Sequence, residues 1–169
     1  MEAMEAILGR RSIRKYTAQA ISEGAIRRLL EAGMSAPSAG NEQPWQFVIV
    51  DDRRILDAIP DIHPHSQMLK GAPLAILVCG DLNLEKHLGF WMQDCSAATE
   101  NILIAAHAQG LGAVWLGIYP REERVAGIRR ILSIPGHIIP FCLIAVGYPG
   151  EKKAGSNRYD ESRIHRNGW

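Results

Sequence analysis

One helix sets the strongest limit on how this chain folds, because apolar or small residues cover nearly all of its sides. Helical periodicity predicts that it runs from about Phe90 to Gln109. Asp94, Glu100 and Asn101 interrupt its apolar surface only sparsely. A helix of this kind must be buried on more than one side. In a chain of 169 residues a second subunit is a natural additional cover, so the sequence indicates a dimer.

Helical and strand patterns alternate along the rest of the chain. Apolar, β-branched runs predict four strands, at residues 46–50, 74–80, 113–118 and 138–148. Helical spacing and capping residues predict helices at 1–8, 23–32 and 121–132, and a helix or turn at 51–59. Pro140 moves the start of the last strand towards a sheet edge or a bulge. The length favours a single domain, 1–169, whose polar tail, 150–169, must pack on the body or on a partner subunit.

The composition argues against several classes of protein. A formal net charge of +1 does not provide the broad basic surface that non-specific nucleic-acid binding needs. We find no signal pattern and no uncharged apolar run of about 18 residues, and we expect a cytoplasmic protein without a membrane segment. Cys79, Cys95 and Cys142 lie in apolar segments and predict buried, reduced thiols. His63 and His65 have no acidic or thiol ligand nearby, which favours exposed loop histidines over a metal site.

A cluster of cations lies near the start of the chain, where Arg10, Arg11, Arg14 and Lys15 fall close together around Ser12. Guanidinium groups are planar, permanently charged forks that match phosphate oxygens, and the hydroxyl of Ser12 adds a donor. The functional interpretation is a phosphate cradle for a small ligand. A solvated basic face at a helix end is the alternative, because cations there complement the helix dipole. This stretch alone leaves both interpretations open.

A loop with two prolines follows the next helix and is rich in compact hydrogen-bonding groups, among them Ser38 and Asn41. Such a loop can bind a planar heteroaromatic ring or a sugar, although ordinary connecting loops use the same residue types. Gly117 removes a side chain where a flat ligand could approach the backbone. The chain has no recognisable nucleophile, no paired carboxylates, no GxGxxG element and no P-loop. An enzyme with this sequence would therefore take its reactive group from a cofactor.

Three motifs occur in a particular order: Arg-Arg-Ser-Ile-Arg at 10–14, Ala-Pro-Ser-Ala-Gly-Asn-Glu-Gln-Pro-Trp at 36–45, and Gly-Leu-Gly-Ala-Val-Trp-Leu-Gly at 110–117. Together they resemble the nitroreductase family of FMN-dependent oxidoreductases, and the resemblance covers nearly the whole chain. It implies an α+β fold with a central mixed β-sheet flanked by helices. It also implies an intertwined homodimer with two FMN sites at the interface.

The resemblance further implies roles for individual residues. The arginine cluster and a tail arginine would hold the FMN phosphate and ribityl chain and reach the ring edge: Arg10, Arg11, Ser12, Arg14 and Arg158. The other subunit would line the ring with the loop residues Pro37, Ser38, Ala39 and Asn41. Leu116 and Gly117 would place backbone groups near the flavin N5 and O4 edge, and Gln67 would contact the pyrimidine end. Some relatives carry an acidic residue at the position of Leu116, where leucine contributes backbone and packing alone.

The activity that the resemblance implies is hydride transfer from NADH or NADPH to FMN, followed by reduction of a nitroaromatic, a quinone or a similar acceptor in a ping-pong cycle. The chemistry takes place at the flavin N5, so we assign no catalytic side chain and no metal. One alternative is a specialised flavoenzyme of the same fold: a dehalogenase, an azoline dehydrogenase or a flavin-fragmenting enzyme. Another is a flavin-binding storage or sensor protein without turnover. The chain is short for the family, which predicts a flavin face that is open or covered by few residues.

Overall fold

The computed structural model describes residues 1–169, with five α-helices and four β-strands in the predicted order. The helices are α1 (Ala3–Gly9), α2 (Glu23–Met34), α3 (Arg53–Ile62), α4 (Trp91–Ala108) and α5 (Glu122–Leu132). The strands are β1 (Trp45–Val50), β2 (Leu74–Asp81), β3 (Gly112–Gly117) and β4 (Ile138–Gly147). Short 3₁₀ turns occupy Ala39–Asn41, Pro64–Lys70 and Glu161–Arg163. Each predicted helix and strand is present, and no end differs from its prediction by more than three residues.

The strands form one sheet in the order β1-β2-β4-β3, and every neighbouring pair is antiparallel. Each strand therefore starts at the end of the sheet where the neighbouring strand finishes. Ile138, the first residue of β4, for example pairs with Asp81, the last residue of β2. With helices packed on the sheet, the architecture is α+β, as expected. The expected mixture of strand directions is limited to one isolated parallel bridge, between Ser12 and Ala113.

The sheet separates two apolar cores. Side chains of β2 alternate between them, with Ile76 and Val78 on the side of α2 and α4, and Leu77 and Cys79 on the side of α3 and α5. All four side chains are fully buried, as the continuous apolar run predicted. Both faces of the sheet are therefore covered, and its free backbone groups lie along the outer strands β1 and β3.

Helix α4 packs against the sheet and also against α1 and α2. Ala98, Ile102 and Ala106 are fully buried, and the exposed side chains of α4 are limited to Gln93 and Ala108. Burial on several sides is therefore confirmed, and α1 and α2 of the same chain supply part of the cover, while residues such as Met92 and Ile104 stay half-buried. A dimer has to be argued from other features of the molecule. Neither α4 nor any other helix is long and apolar enough to cross a membrane.

A β-bulge in the pairing of β2 with β4 fixes the place where β3 ends. Pro140 pairs with Cys79, and the register shifts directly beyond this pair, so that Phe141 is the additional residue of the bulge. Its carbonyl accepts hydrogen bonds from the backbone N–H groups of Ile118, at 3.1 Å, and Tyr119, at 3.0 Å. Of the two alternatives that Pro140 predicted, a sheet edge or a bulge, the structure has the bulge, and it turns the chain away from the sheet after β3.

The first part of the polar tail packs on the arginine cluster of the same chain. Lys153 Nζ donates a hydrogen bond to the carbonyl of Ser12 at 2.7 Å, and the carboxylate of Glu151 accepts one from the backbone N–H of Arg14 at 2.6 Å. The remainder of the tail is exposed and ends in a fully exposed Trp169. The tail therefore depends on the segment after α1 for its position.

The three cysteines are free thiols, and all of them are buried, as predicted. Burial raises the pKa of the Cys79 thiol to about 12 and that of Cys142 to about 12 as well. Burial also raises the pKa of Cys95, which lies near the other two thiols. Because the thiolate is the nucleophilic form, none of these cysteines provides a nucleophile near neutral pH.

Candidate functional site

A cleft of about 550 Å³, which we call the β3 cleft, opens where β3 ends. It lies between the segment after α1, the 3₁₀ turn after α3, the end of β3 and the start of α5. Its lining consists of Arg14, His63, Pro64, His65, Gln67, Met68, Trp115, Leu116, Gly117 and Arg124. The structure thus brings together four of the residues that the sequence assigned to the flavin site, namely Arg14, Gln67, Leu116 and Gly117.

The floor of the β3 cleft is an unpaired edge of the sheet. The carbonyl of Ala113 points away from β4 and accepts a hydrogen bond from the backbone N–H of Ile13 at 3.0 Å. Because backbone groups alternate in direction along a strand, those of Trp115 and Gly117 point to the same outer edge. Leu116 instead pairs with β4, and its side chain is buried in the core. The cleft therefore contains backbone donors and acceptors that the sheet does not use.

His63 is buried, with 2% of its surface exposed, so the expectation of an exposed loop histidine was wrong for this residue. It is correct for His65. The apolar face of α3 explains the difference, because His63 follows the buried Leu56 and Ile59 at helical spacing and continues that face beyond the end of the helix. Extending the helical pattern by one turn would have identified His63 from the sequence.

Two side chains converge on the carbonyl of Gly117. His63 Nε2 lies 2.9 Å from this oxygen, and Arg124 Nη1 donates a hydrogen bond to it, also at 2.9 Å. Arg124 Nη1 and His63 Nε2 are themselves 3.4 Å apart. We call these three residues the Gly117 clamp. The sequence offered no signal for Arg124, which lies on α5 and meets β3 only through the tertiary fold.

The Gly117 clamp fixes the charge and the tautomer of His63. A carbonyl oxygen can only accept, so the proton of the neutral ring lies on Nε2. Nδ1 is buried and has no hydrogen-bond partner. Burial, together with the nearby positive charge of Arg124, lowers the pKa of His63 below its ordinary value. His63 is therefore a neutral donor to Gly117 at physiological pH.

This lowered pKa predicts how the stability of the protein depends on pH. The unfolded chain binds the proton of His63 more readily than the folded protein does. The stability that depends on neutral His63 is therefore fully present above the unfolded pKa of about 6.5 and declines as the pH falls towards the folded pKa. We expect the Tm of the wild type to fall more than that of His63→Gln between about pH 8 and pH 5. Identical pH profiles for the two proteins would contradict this assignment.

A smaller cleft of about 180 Å³, which we call the arginine pocket, lies beside α1 and the tail. Its lining consists of Ile7, Leu8, Arg10, Arg11, Ser156, Asn157, Arg158 and Tyr159. The structure thus brings together the three arginines to which the sequence assigned phosphate binding, Arg10, Arg11 and Arg158. Guanidinium groups at this density favour an anionic group with several acceptor oxygens.

The arginines of the pocket differ in how far the protein already uses them. Arg11 donates hydrogen bonds to three backbone carbonyls, those of Leu8 at 2.8 Å, Arg10 at 2.6 Å and Ala154 at 3.0 Å. Arg10 Nε lies 3.3 Å from a carboxylate oxygen of Glu100, but it is buried and has no aligned hydrogen bond. Arg10 therefore retains donor capacity for a ligand, whereas Arg11 holds the end of α1 and the tail in place.

The segment 10–14 joins the two clefts. Arg10 lines the arginine pocket, Arg14 lines the β3 cleft, and Ser12 lies between them and forms the parallel bridge to Ala113 of β3. An elongated ligand with an anionic end and a flat polar end would follow this segment from one cleft to the other. The bridge to β3 fixes the distance between the two ends.

The loop from Pro37 to Asn41 lines neither cleft of its own chain. It is held instead by local contacts, since Ser38 Oγ accepts from the backbone N–H of Gln43 at 3.0 Å and Asn41 Oδ1 accepts from Gln43 Nε2 at 2.9 Å. The backbone N–H of Ala39 donates to Asp94 at 3.0 Å. One chain alone therefore does not bring Pro37, Ser38, Ala39 or Asn41 to the other predicted flavin-binding residues.

A pair of buried carboxyl groups anchors this loop, although the sequence showed no paired carboxylates. Glu42 accepts hydrogen bonds from the backbone N–H groups of Lys86, at 2.6 Å, and His87, at 3.0 Å, and these lower its pKa. Burial and the adjacent Glu42 raise the pKa of Asp94. The remaining oxygens, Glu42 Oε1 and Asp94 Oδ2, are buried without a hydrogen-bond partner. The pair lies far apart in sequence, which is why no motif revealed it.

Comparison with known proteins identifies the family of this chain. The model of the nitroreductase family matches residues 7–66 and 62–148. A protein of Methanothermobacter thermautotrophicus, provisionally named NADH dehydrogenase/NAD(P)H nitroreductase, is 53% identical over 169 residues, which cover 100% of this chain and 88% of the relative. The chain therefore belongs to the nitroreductase family.

Solved structures confirm the fold. An FMN-dependent nitroreductase from Clostridium difficile R20291 has a TM-score of 0.91 and 30% identity, over 98% of this chain and 99% of the other. A protein from Desulfovibrio desulfuricans, provisionally described as a nitroreductase and crystallised in complex with FMN, has a TM-score of 0.88 and 33% identity, over 100% of this chain and 98% of the other. The α+β fold with helices on both sides of the sheet is thus common to all three proteins.

Proposed function

We propose that this protein is an FMN-dependent oxidoreductase that takes hydride from NADH or NADPH and reduces a nitroaromatic, a quinone or a similar small acceptor. The observation that carries the proposal is the free edge of β3 at Gly117, in a cleft that residues 10–14 join to a cationic pocket. The FMN-dependent and FMN-bound nitroreductases of the same fold support the cofactor. The name of the archaeal relative supports a nicotinamide donor.

The residues present are suited to FMN. The volume of the β3 cleft, about 550 Å³, lies within the range of small-molecule sites. A Cβ atom at Gly117 would have no heavy atom within 4 Å, so the backbone there is open to a flat ring. Arg10 contacts Glu100 at 3.3 Å without an aligned hydrogen bond, so its guanidinium keeps donor capacity for an FMN phosphate. Arg10 and Arg158 would hold the phosphate, while Arg14, Gln67 and the backbone of Gly117 would hold the ring.

Bound FMN would supply the hydride-accepting and electron-donating chemistry. The residues of the chain would bind and orient it and determine its electrostatic surroundings. The guanidinium of Arg14 and the outward N–H of Gly117 favour negative charge on a ring in the β3 cleft. Met68 and Trp115 provide apolar cover on its walls. No side chain of the cleft is required to exchange a proton with the substrate, and we assign no catalytic acid or base.

We further propose a homodimer in which the loop from Pro37 to Asn41 completes the β3 cleft of the partner. This loop lines neither cleft of its own chain, although its motif belongs to the family pattern. The surface of α1 exposes Met4 and Leu8, and the tail exposes Trp169, an apolar area that a partner would cover. Light scattering of the FMN-bound protein tests this arrangement. The mass of two chains supports it, and the mass of one chain with flavin bound contradicts it.

The shape of the β3 cleft predicts the steady-state kinetics. One open cleft serves both the nicotinamide and the acceptor, so the first has to leave before the second binds. Reciprocal plots at several fixed acceptor concentrations should therefore give parallel lines, which is the ping-pong pattern. Intersecting lines, which indicate a complex of the enzyme with both substrates, would contradict a shared site.

Two alternative functions are compatible with the same fold, and they predict a different response of the bound flavin to NADH and NADPH. A specialised flavoenzyme, such as a dehalogenase, an azoline dehydrogenase or a flavin-fragmenting enzyme, would bind FMN for another reaction. A flavin storage or sensor protein would bind it without turnover. For both of these we expect that neither NADH nor NADPH bleaches the bound flavin under anaerobic conditions. Bleaching by at least one of them supports the oxidoreductase.

A further inference from the structure

The carbonyl of Gly117 is covered more completely than the fold requires. It lies at the unpaired edge of β3, where one hydrogen bond or a water molecule would satisfy it. Instead it receives both His63 Nε2 and Arg124 Nη1, each at 2.9 Å. These contacts come from two different elements, the residue after α3 and the first turn of α5. An acceptor on the floor of the β3 cleft is thereby removed from contact with a ligand.

The apolar face of α3 explains why His63 is buried, but it does not explain why both side chains of the Gly117 clamp direct their donors to one carbonyl. His63 is buried while its Nδ1 lacks a partner, which is unfavourable for a residue that only fills space. Arg124 has no carboxylate partner and directs its guanidinium to Gly117 and His63. Both side chains also line the cleft itself. An uncompensated cation at the cleft and a donor aimed at its floor point to a role towards a ligand.

We propose that His63 and Arg124 are positioning residues that raise the reduction potential of FMN bound in the β3 cleft. This inference rests on the proposed function. By occupying the Gly117 carbonyl, the two side chains leave the Gly117 N–H as the backbone group that a bound ring meets. The charge of Arg124 adds to that of Arg14, the other guanidinium in the lining. The cleft then favours the reduced, more negative flavin over the oxidised one.

The midpoint potential of bound FMN, measured by equilibration with reference dyes, tests the proposal. Arg124→Leu and His63→Leu should each lower the affinity for reduced relative to oxidised FMN by roughly tenfold, which corresponds to about 30 mV for a two-electron couple. His63→Gln keeps an N–H donor for the Gly117 carbonyl and should retain most of the wild-type potential. Arg130→Leu removes an exposed arginine of the same helix outside the β3 cleft and serves as the matched control for lost charge.

The outcomes separate this inference from the function on which it rests. A wild-type protein that does not bind FMN in a fluorescence titration would refute the proposed function itself. If the wild type binds FMN, and the potentials of Arg124→Leu and His63→Leu equal that of Arg130→Leu, the role of the Gly117 clamp is refuted. Should His63→Leu fail to fold, Arg124→Leu decides the question, with Arg124→Lys as the variant that keeps the charge. A lower potential in Arg124→Leu than in the control supports the proposal.

Discussion

Replacing Arg10 and Arg14 together by alanine is expected to yield protein that purifies without flavin. Arg10 lines the arginine pocket with an Nε that has no aligned hydrogen bond, and Arg14 lines the β3 cleft. The two changes therefore remove one cation from each end of the proposed FMN site. Charge-assisted hydrogen bonds contribute roughly 1.5–3 kcal/mol each, so the Kd for FMN should rise by roughly 100-fold or more. Fluorescence titration of the apo protein with FMN measures this change.

The control for this prediction is Arg27→Ala. Arg27 forms an exposed ion pair with Glu31 at 2.8 Å on α2, just as Arg10 approaches Glu100 at 3.3 Å. Its loss removes an exposed ion pair without touching either cleft. We expect the Arg27→Ala protein to bind FMN like the wild type. If the double variant of Arg10 and Arg14 is purified with its full complement of FMN, these arginines do not bind the cofactor as proposed.

Replacing Gly117 by valine is expected to weaken FMN binding while leaving the protein folded. A Cβ at this position would have no heavy atom within 4 Å, and valine is well suited to a strand. The free energy of unfolding should therefore stay within about 0.5 kcal/mol of the wild type. The new side chain would lie on the same face as Trp115, which also lines the cleft. Overpacking against a bound ring costs about 1–3 kcal/mol, or roughly 10–100-fold in Kd.

Gly136→Val provides the matched control. Gly136 also has open space where a Cβ would stand, but it lies outside the β3 cleft and the arginine pocket. Thermal unfolding and FMN titration of both variants separate an effect on folding from an effect on binding. If Gly117→Val binds FMN as tightly as Gly136→Val does, the flat ligand does not approach the backbone at β3.

Local patterns in the sequence were sufficient to predict most of the fold. Ser22 accepts a hydrogen bond from the backbone N–H of Ala25 as the predicted cap of α2. The unbroken apolar run of β2 corresponds to a strand buried on both faces, and Pro140 marks a bulge. Each of these features depends on residues within a few positions of one another. Their physical causes can be recognised from the sequence alone. They are helix capping, burial of a strand on both faces, and the missing backbone N–H of proline.

The candidate site was predicted only in part, because its geometry depends on contacts between distant segments. The sequence placed Arg10, Arg11 and Arg14 in one cluster, and the structure distributes them over two clefts and engages Arg11 with backbone carbonyls. Arg124 lies only seven residues after Gly117, and it reaches this carbonyl through the turn between β3 and α5, whose geometry no spacing reveals. The buried pair of Glu42 and Asp94 likewise joins segments that are far apart. A single sequence contains no signal for such convergence.

The most direct test is to load the wild-type protein with FMN and mix it anaerobically with NADH and, separately, with NADPH. We expect the absorbance of the bound flavin to bleach rapidly with at least one of them and to return when a quinone or a nitroaromatic is added. This result requires a bound flavin that accepts hydride and an open cleft that admits the acceptor. A protein that binds FMN but is bleached by neither nicotinamide would contradict the proposed oxidoreductase.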